Sequence, residues 1–427
     1  MFKVRDDIKD EKIKKTMEYC LEEGAAYSVS VGAGNNFITP YAIKFNATNM
    51  QISLLSSIPN IVNSILQMFT PKLMEKHDRK KIVVTSVFIQ ASLWIPIIML
   101  YFAKDYAPYL LIFLVTLYTM MNSLISPAWR SWISDIIPEK IRGKFFGQRN
   151  RLMIVVQIIS MILVGFLLDK TKSFNVFVGF AIAFFMAFLG RMTSGYLLTK
   201  HYEPKFVMSK KKYFSFFQFI RKAPKNNFGR FALFIGLITA SVYIAAPFFA
   251  VYMLRNLSFS YTVYTIVNIF SYVGLALGMG FWGKISDEIG NKKVLEISSY
   301  FISAYPFWWL ISGNPIFLSI INLMSGFFWA GFNLSSFNYI FDAVSRERRG
   351  ICAAYTNSLT GIGIFIGSFV GGILSEKINA GFNVILIIFA ISGVMRLATT
   401  AVFMRKIREV RLHVKPLSFS YFIRKNL

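Results

Sequence analysis

The sequence has little of the chemistry that enzymes and metal sites require. Its 427 residues include only two cysteines, Cys20 and Cys352, which lie too far apart to indicate a disulfide framework or a metal cluster. The three histidines, His77, His201 and His413, are scattered, and no Ser-His-Asp or metal-ligand spacing accompanies them. We therefore expect no catalytic site and no cofactor.

Acidic residues are also scarce. The chain has 21 Asp and Glu against 47 Lys and Arg, which gives a formal net charge of +26. Basic surfaces that bind nucleic acid sit on folded polar domains, and no polar stretch of this sequence is long enough to form one. We therefore expect no nucleic-acid partner. Residues 1–22 lack a central apolar run, which excludes a cleavable signal peptide at this position.

Apolar residues, in contrast, are abundant. Hydrophobic side chains make up 55% and aromatic side chains 17% of the chain, well above the share in a soluble domain. Apolar runs of about 18 residues or more recur, and each can cross a hydrocarbon core of roughly 30 Å as a helix. The sequence therefore predicts an all-α integral membrane protein with twelve transmembrane helices. We place them at 23–44, 51–71, 82–103, 107–129, 147–168, 175–199, 231–254, 262–283, 294–312, 315–340, 352–374 and 381–404.

The basic residues predict the orientation. Most of the 47 Lys and Arg fall on the side of the predicted spans that holds both termini, and positive loops stay cytoplasmic. We therefore predict a multi-pass protein of the inner or plasma membrane with both termini in the cytoplasm. The basicity is then a topology signal with some attraction for anionic membrane lipid.

The spans divide into two groups of six. The predicted organisation is a cytoplasmic N-terminal segment, an N-terminal six-helix bundle, a basic linker, a C-terminal six-helix bundle and a basic cytoplasmic tail, at residues 1–22, 23–199, 200–230, 231–404 and 405–427. The linker alternates basic and aromatic residues, which is typical of an amphipathic segment on the cytoplasmic leaflet. A solvated linker is the alternative.

The two groups are related by an internal repeat. Several landmarks recur at an offset of 207 residues, and the offset becomes 212 around the connection after the second span of each half. A parallel repeat of six spans is the arrangement that places a pathway between two bundles. The matched pairs are Pro40 with Pro247, Asp135 with Asp342, Arg142 with Arg349, Asn150 with Asn357, and Gly165 with Gly372.

Four polar loops resemble those of a known family. Residues 283–293, GKISDEIGNKK, resemble the signature loop of the major facilitator superfamily. Residues 71–81, PKLMEKHDRKK, occupy the same place in the first half but are degenerate. The loops 135–143 and 342–350 resemble the other paired loop of this family. The resemblance covers almost the whole chain and implies the major facilitator fold, with transport by alternating access.

The resemblance also implies a reversible cytoplasmic gate that stabilises the state open to the outside. Charged pairs near water suit this role because each is worth only about 0 to 1 kcal/mol. The alternative is that these residues are positive-inside charges with solvated counter-ions. The predicted gate residues are Glu75, Arg79, Asp135, Arg142, Asp287, Lys292, Asp342 and Arg349.

In the family, spans one, four, seven and ten line a central cavity, so polar and aromatic residues halfway along them are candidates for binding substrate. Amides at lipid depth are costly unless they are paired or face water. Hydrogen bonding between helices is the alternative role. The candidates are Asn35, Asn36, Tyr118, Asn122, Tyr243, Trp329 and Asn333.

Small residues and prolines predict local features of three spans. Gly32 and Gly34 beside Pro40, and Pro247 in the second half, either break their helices or allow close packing, and we favour close packing. Span eleven contains Gly363 and Gly367 at a four-residue spacing that continues to Gly371 and Gly372, which brings a neighbouring helix close.

Charges inside the spans are few. Arg191 and Arg396 lie within spans six and twelve, where we favour a structural role over a functional one. Acids are absent from the middle of the predicted spans, the nearest being Glu22, Glu23 and Glu296. We therefore expect either uniport or coupling to a proton or cation through Glu22 or Glu23.

The sequence thus predicts a monomeric transporter, secondary active or facilitative, of a small neutral or amphipathic solute. Drug or metabolite efflux by proton antiport is one alternative. Drug antiporters of this superfamily carry a glycine motif on span five and a buried arginine on span four, and this sequence lacks both. A non-transporting receptor or scaffold on the same fold is another. A membrane enzyme acting on lipid-linked substrates is disfavoured because the required residues are missing.

Overall fold

A computed structural model describes residues 10–67, 69–204, 215–345, 348–378 and 383–411. All regular secondary structure in these residues is helical, which confirms the all-α class. The helices of the first part of the chain are α1 (Glu11–Ala33), α2 (Ile38–Lys44), α3 (Asn49–Gln67), α4 (Thr70–Met74), α5 (Arg79–Ser92), α6 (Trp94–Met99), α7 (Ala107–Ile136), α8 (Glu139–Thr171) and α9 (Val176–Thr199). They are followed by α10 (Phe216–Lys222), α11 (Asn227–Tyr243), α12 (Phe248–Val251), α13 (Tyr261–Ile289), α14 (Asn291–Trp308), α15 (Pro315–Ala343), α16 (Arg349–Lys377) and α17 (Val384–Met404).

Helices cover every predicted span, but not all of them meet the length and hydropathy of a membrane-crossing helix. Among the described residues, eight helical segments are long and apolar enough to cross a membrane. One of these, Arg79–Ile136, covers α5 and α7 together, whereas α1, α3 and α14 are not among the eight. The count of twelve crossings therefore stays a prediction.

The first predicted span differs from the helix that is found. We placed it at 23–44, yet α1 already begins at Glu11, where the side chain of Asp10 accepts a hydrogen bond from the Lys12 N–H at 2.9 Å. The helix ends at Ala33 and a 3₁₀ turn precedes α2. The early turns of α1 are polar, so a hydropathy pattern cannot include them.

Of the predicted break positions, Gly34 and Pro247 interrupt a helix, whereas Gly32 stays within α1. The chain leaves α1 at Gly34, and it leaves α11 after Tyr243 and re-enters helix only after Pro247. Close packing occurs at the first of these positions as well, because a Cβ on Gly34 would collide with the Trp94 ring. The two roles that the sequence left open are therefore combined at Gly34.

The described residues form two compact units. The first unit takes its residues from 1–211, 246–266 and 364–378. The second unit takes its residues from 212–245, 267–363 and 379–427. The predicted domain boundaries follow the repeat instead of these units, and they stay a prediction.

In the first unit, α1 packs on α8 and α9, α3 packs on α7, and α5 packs on both α7 and α9. One of its apolar clusters includes Val83, Trp132, Ile133 and Phe145, each at most 2% exposed. Between helices in a bilayer, such contacts stabilise the bundle through van der Waals packing. This packing fixes the facing surfaces of α1, α5, α7, α8 and α9.

The first unit also holds short segments from later in the chain. Asp169 at the end of α8 accepts hydrogen bonds from the backbone N–H groups of Tyr261 and Thr262, both at 2.8 Å, and so caps the N-terminus of α13. Gly372 of α16 lies against Ser53 of α3 with no room for a Cβ. The close approach predicted for the glycines of span eleven is confirmed at this position.

In the second unit, α14 packs on α15 and α17, and α11 packs on α17. Helices α13 and α15 approach each other at two glycines. A Cβ on Gly274 would collide with the carbonyl of Leu323, and a Cβ on Gly326 would collide with the carbonyl of Ser271. Glycine at both places allows this close helix crossing.

The linker is described only in part. Residues 205–214, which hold Lys210, Lys211 and Lys212 of the predicted amphipathic segment, lie outside the described residues. The described remainder includes α10, whose Phe219 is buried against Tyr355 while Phe217 is 86% exposed. This short helix is therefore amphipathic.

The α13–α15 crossing makes a testable prediction. Replacing Gly274 with Ala forces the two backbones apart, so we expect the free energy of unfolding to fall by about 1–3 kcal/mol. The control is Gly280→Ala in the same helix, where a Cβ meets nothing within 4 Å. We expect this change to be neutral or slightly stabilising. Thermal unfolding of both purified variants in detergent measures the difference, and equal melting temperatures would contradict the assigned crossing.

Candidate functional site

The first four predicted substrate residues lie in the first unit. Asn35 and Asn36 occupy the 3₁₀ turn after α1 and are half-buried. The Asn36 amide donates to the Val31 carbonyl at 3.1 Å, so it satisfies a backbone group that the helix break releases. Tyr118 and Asn122 lie one turn apart on α7.

The other three lie in the second unit. Tyr243 is the half-buried last residue of α11. On α15, Trp329 packs against Phe332 with ring centroids 5.2 Å apart, and Asn333 is exposed one turn later. An exposed amide on an apolar helix is more favourable next to water than next to lipid. These positions do not test the predicted binding role.

A buried ion pair lies beside the predicted residues of the first unit. Glu23, midway along α1, is only 4% exposed. Its Oε2 accepts from Arg149 Nη2 of α8 at 2.8 Å, and its Oε1 accepts from the Ser194 hydroxyl of α9 at 3.0 Å. The Arg149 Nε donates to the Cys20 carbonyl at 3.1 Å. Glu23 is the first residue of predicted span 23–44, yet it is buried midway along α1.

The same network continues to a predicted substrate residue. Arg191 Nη1 donates to the Ser194 hydroxyl at 3.1 Å, and its Nε donates to Gln90 Oε1 at 2.7 Å. Gln90 Nε2 in turn donates to Asn122 Oδ1 at 3.0 Å. A chain of hydrogen bonds therefore connects Glu23 on α1 with Asn122 on α7, through side chains of α9 and α5.

Aromatic rings cover both guanidinium groups of this network. The Arg149 guanidinium lies 4.6 Å from the Trp129 ring centroid, and the Arg191 guanidinium lies 4.6 Å from that of Tyr27. Rings in these positions stabilise a cation that is removed from water. With Glu23 ionised, the described network holds two positive charges and one negative charge.

The buried Arg396 has different surroundings. Arg396 of α17 is 1% exposed, and it donates to the Ser392 hydroxyl at 3.0 Å and to the carbonyls of Ile302 and Val242 at 3.0 and 3.2 Å. Its described hydrogen-bond partners are thus a hydroxyl and two backbone carbonyls. This geometry supports the structural role that the sequence favoured.

Arg149, Ser194 and Gln90 of this network were not predicted from the sequence. Arg149 is the third residue of predicted span 147–168, where a cation is typical of a cytoplasmic boundary. Gln90 lies in span three, outside the four spans that the family resemblance assigns to the cavity. A long amide inside an apolar run was a usable signal for Gln90, whereas Arg149 carried none that separated it from other boundary cations.

The predicted gate residues of the first unit form one ion pair among the described side chains. Arg79, 1% exposed, donates to Asp135 Oδ2 at 2.6 Å and to the Ser131 hydroxyl at 3.0 Å. Glu75 is exposed and lines a cleft of about 360 Å³ at the degenerate loop. Arg142 donates to the Ser134 carbonyl at 2.7 Å and so caps the end of α7.

The second unit pairs its gate acids with an arginine that was not predicted. Arg411, beyond α17, donates from Nε to Asp342 at 2.9 Å and from Nη1 to Asp287 at 3.1 Å. Asn291 also donates to Asp342, at 2.6 Å. Burial lowers the pKa of the Arg411 guanidinium, but the hydrogen bond to Asp287 and the charge of Asp342 outweigh it and raise this pKa overall. Arg411 therefore stays charged.

The two remaining gate residues have local partners. Lys292 forms an ion pair with Glu296 one turn along α14, at 3.0 Å. Arg349 donates to the Phe341 carbonyl of α15 at 2.8 Å. Arg142 makes the equivalent hydrogen bond to the Ser134 carbonyl near the end of α7. These two arginines, 207 residues apart, therefore cap equivalent helix ends.

Comparison with known proteins identifies the family. The sequence profile of the Major Facilitator Superfamily matches residues 25–242 and 231–420, which together span most of the chain. The chain therefore belongs to this superfamily, and it is a membrane transporter of the major facilitator type. The same membership places it among transporters and not among enzymes.

Individual relatives and solved structures agree with this assignment. An uncharacterised MFS-type transporter of Methanocaldococcus jannaschii is 22% identical over 382 residues, covering 84% of this chain and 94% of the relative. The crystal structure of a D-xylose-proton symporter matches with a TM-score of 0.73 at 12% identity, covering 94% of this chain and 99% of the symporter. A bacterial homologue of the iron transporter ferroportin, in an inward-facing state, matches with a TM-score of 0.69 at 13% identity, covering 91% of this chain and 98% of that homologue.

The buried ion pair makes the second prediction. Replacing Arg149 with Met leaves Glu23 charged and unpaired in the bundle, so we expect the free energy of unfolding to fall by about 3–5 kcal/mol. The control is Arg151→Met, an exposed cation on the same helix. Adding Glu23→Gln to the Arg149 variant should recover most of the loss. Thermal unfolding of the four proteins tests this, and an Arg149 variant as stable as the Arg151 control would contradict the pairing.

Proposed function

We propose that the protein carries a small neutral or amphipathic solute across the membrane by alternating access, with Glu23 as the group that couples transport to a proton. The observation that carries this proposal is the hydrogen-bonded chain from Glu23 to Asn122. It links a titratable carboxylate to a residue of the predicted substrate site. A carboxylate can couple transport to a proton only if its protonation state changes the affinity of the site that binds the solute.

The ion pair provides a physical means of coupling. A buried carboxylate and guanidinium stabilise each other, and loss of either charge leaves the other without compensation. A proton taken up by Glu23 therefore weakens its hold on Arg149 and changes the hydrogen bond with Ser194. Ser194 also accepts from Arg191, so the change reaches Gln90 and from there Asn122.

The predicted substrate side chains favour an uncharged solute. They are four amides, two phenols and one indole. Such groups donate and accept hydrogen bonds without adding charge, and aromatic rings pack on apolar faces of a ligand. A polar but uncharged molecule with an apolar face fits this set.

A small organic anion is the second candidate, and one observation favours it. The network next to Asn122 contains Arg149 and Arg191 but only one carboxylate, Glu23, among the described side chains. The remaining positive charge would be compensated by a bound carboxylate or phosphate. Binding measurements with both classes of solute separate the candidates.

The membrane arrangement belongs to the same proposal. We infer that the protein lies in the cell membrane or inner membrane and crosses it twelve times, in two halves of six helices. Both termini then lie in the cytoplasm. The positive-inside pattern and the internal repeat support this inference. The gate role of the loop charges and a monomeric state are proposed with it.

The solute class can be tested on the purified protein. We expect D-xylose or uridine, as neutral probes, to raise the melting temperature because a ligand stabilises the folded state that binds it. The gain is about 2.7 kcal/mol at a concentration near 100 times Kd. Citrate and lysine are the charged probes of opposite sign. Stabilisation by citrate alone would favour the organic anion, and any positive result is then followed as flux in proteoliposomes.

The coupling role of Glu23 makes a separate prediction. In proteoliposomes with an imposed proton gradient, Glu23→Gln should abolish accumulation of the solute but keep its downhill exchange, because Gln carries no proton. Glu22→Gln is the matched control, since Glu22 is the exposed neighbour of Glu23 on α1. Accumulation by the Glu23 variant at the wild-type level, while a protonophore abolishes it, would refute this role.

A further inference from the structure

The chain beyond α17 is attached to the second unit by its backbone. We call residues 405–411 the C-terminal strap. The carbonyl of Arg408 accepts from the Tyr339 hydroxyl at 2.7 Å and from Asn227 Nδ2 at 3.1 Å, and the Arg408 N–H donates to Asn227 Oδ1 at 2.9 Å. Tyr339 belongs to α15 and Asn227 begins α11. These backbone contacts hold the strap whatever side chain residue 408 carries.

The end of the strap orients two charged side chains. Glu409 Oε2 accepts from the Lys292 N–H at 2.8 Å, which places a carboxylate at the N-terminus of α14. Its Oε1 accepts from the N–H groups of Val410 and Arg411 at 2.8 and 3.2 Å, and this local turn fixes the direction of the Arg411 side chain. Arg411 then reaches the two gate acids and the Ser286 carbonyl.

The first half contains a counterpart of the strap. After α9, Glu203 accepts from the Lys80 N–H at 3.0 Å at the start of α5. The Tyr202 carbonyl accepts from the Trp132 indole at 2.9 Å. Lys80 and Lys292 are 212 residues apart, and Trp132 and Tyr339 are 207 residues apart, which are the two offsets of the internal repeat. The same attachment is therefore built in both halves.

The halves differ in the source of one charge. In the first half Arg79, within the loop itself, forms the ion pair with Asp135 at 2.6 Å. The residue 212 positions later is Asn291, which makes the matching hydrogen bond to Asp342 at 2.6 Å but brings no charge. The guanidinium that Asp342 contacts comes from Arg411 instead.

We infer that the C-terminal strap completes the charged cluster of the second half, with Arg411 in the role that Arg79 plays in the first. The ion pair of the first half forms between its own loop and α7. The second depends on the tail of the chain, so release of the strap loosens residues 286–293 and leaves the first loop unchanged. This inference concerns contacts of the second unit and does not depend on the proposed solute or on proton coupling.

Exposure shows which contact of Arg411 matters more. The side chain of Asp342 is 21% exposed and that of Arg411 is 29% exposed, whereas that of Asp287 is 75% exposed. Solvent and salt screen an exposed pair, so the contact with Asp342 provides most of the attachment. The Asp287 contact is the first to weaken as ionic strength rises.

Hydrogen exchange of the full-length protein tests this inference. In Arg411→Ala, we expect backbone amides of residues 286–293 to exchange about fivefold faster, because charged hydrogen bonds that hold the loop closed are lost. Exchange at residues 75–82 should not change. Arg408→Ala is the matched control, since its side chain is exposed and the strap is held there by backbone. Wild-type exchange at 286–293 in the Arg411 variant overturns the inference.

A second pair of variants tests whether an arginine within the loop can replace Arg411. Asn291→Arg places a guanidinium where the first loop carries Arg79, so it should return the exchange of Arg411→Ala to the wild-type rate. Should Arg411→Ala fail to fold, Asn291→Arg is compared with Asn291→Arg/Arg411→Ala. Equal exchange and equal melting temperatures support the inference. A fivefold difference between these two proteins, or a folded double variant that exchanges as fast as Arg411→Ala, overturns it.

Discussion

The ion pair between Glu23 and Arg149 is the interaction on which the candidate site depends. Separating this buried pair would leave each charge without its counter-ion, so α1 and α8 must hold a fixed register. The register then decides which other side chains join. Ser194 reaches the second oxygen of Glu23, and Arg191 reaches Ser194, because α9 packs on α1. One pairing requirement thus orders polar groups from several helices into a single network.

The same requirement explains how the other described arginines are used. Arg396 is fully buried but satisfied by carbonyls and a hydroxyl, which fits a residue that joins helices and does not change state. Arg142 and Arg349 cap helix ends in the same way. Only where an arginine meets a carboxylate, as in Arg149 and Arg79, does the charge of one group depend on another. Those are the places where a proton or a moving loop can act.

Hydropathy and loop motifs predicted the helical class, the position of the helices and the family, because these properties are carried by residues close together in sequence. The network was not predictable in the same way. Arg149 lies 126 residues from Glu23, and Arg411 lies 124 residues from Asp287, so their partners are set by packing alone. The sequence indicated an acid at a membrane boundary for Glu23, because nothing near it in the chain identifies Arg149 as its partner.

The two halves share the same helix-capping contact but differ in where the arginine of the charged cluster comes from. A glutamate that follows α9 and another that follows α17, Glu203 and Glu409, cap the starts of α5 and α14. The first half keeps its arginine in the loop, and the second obtains it from the tail. A loop that carries its own counter-charge keeps its pairing wherever the tail lies, whereas Asp342 keeps its guanidinium only while the strap is seated. As a consequence, the mobility of residues 286–293 can change while the corresponding loop of the first half stays as it is. The C-terminal strap is the part of the chain that controls this change.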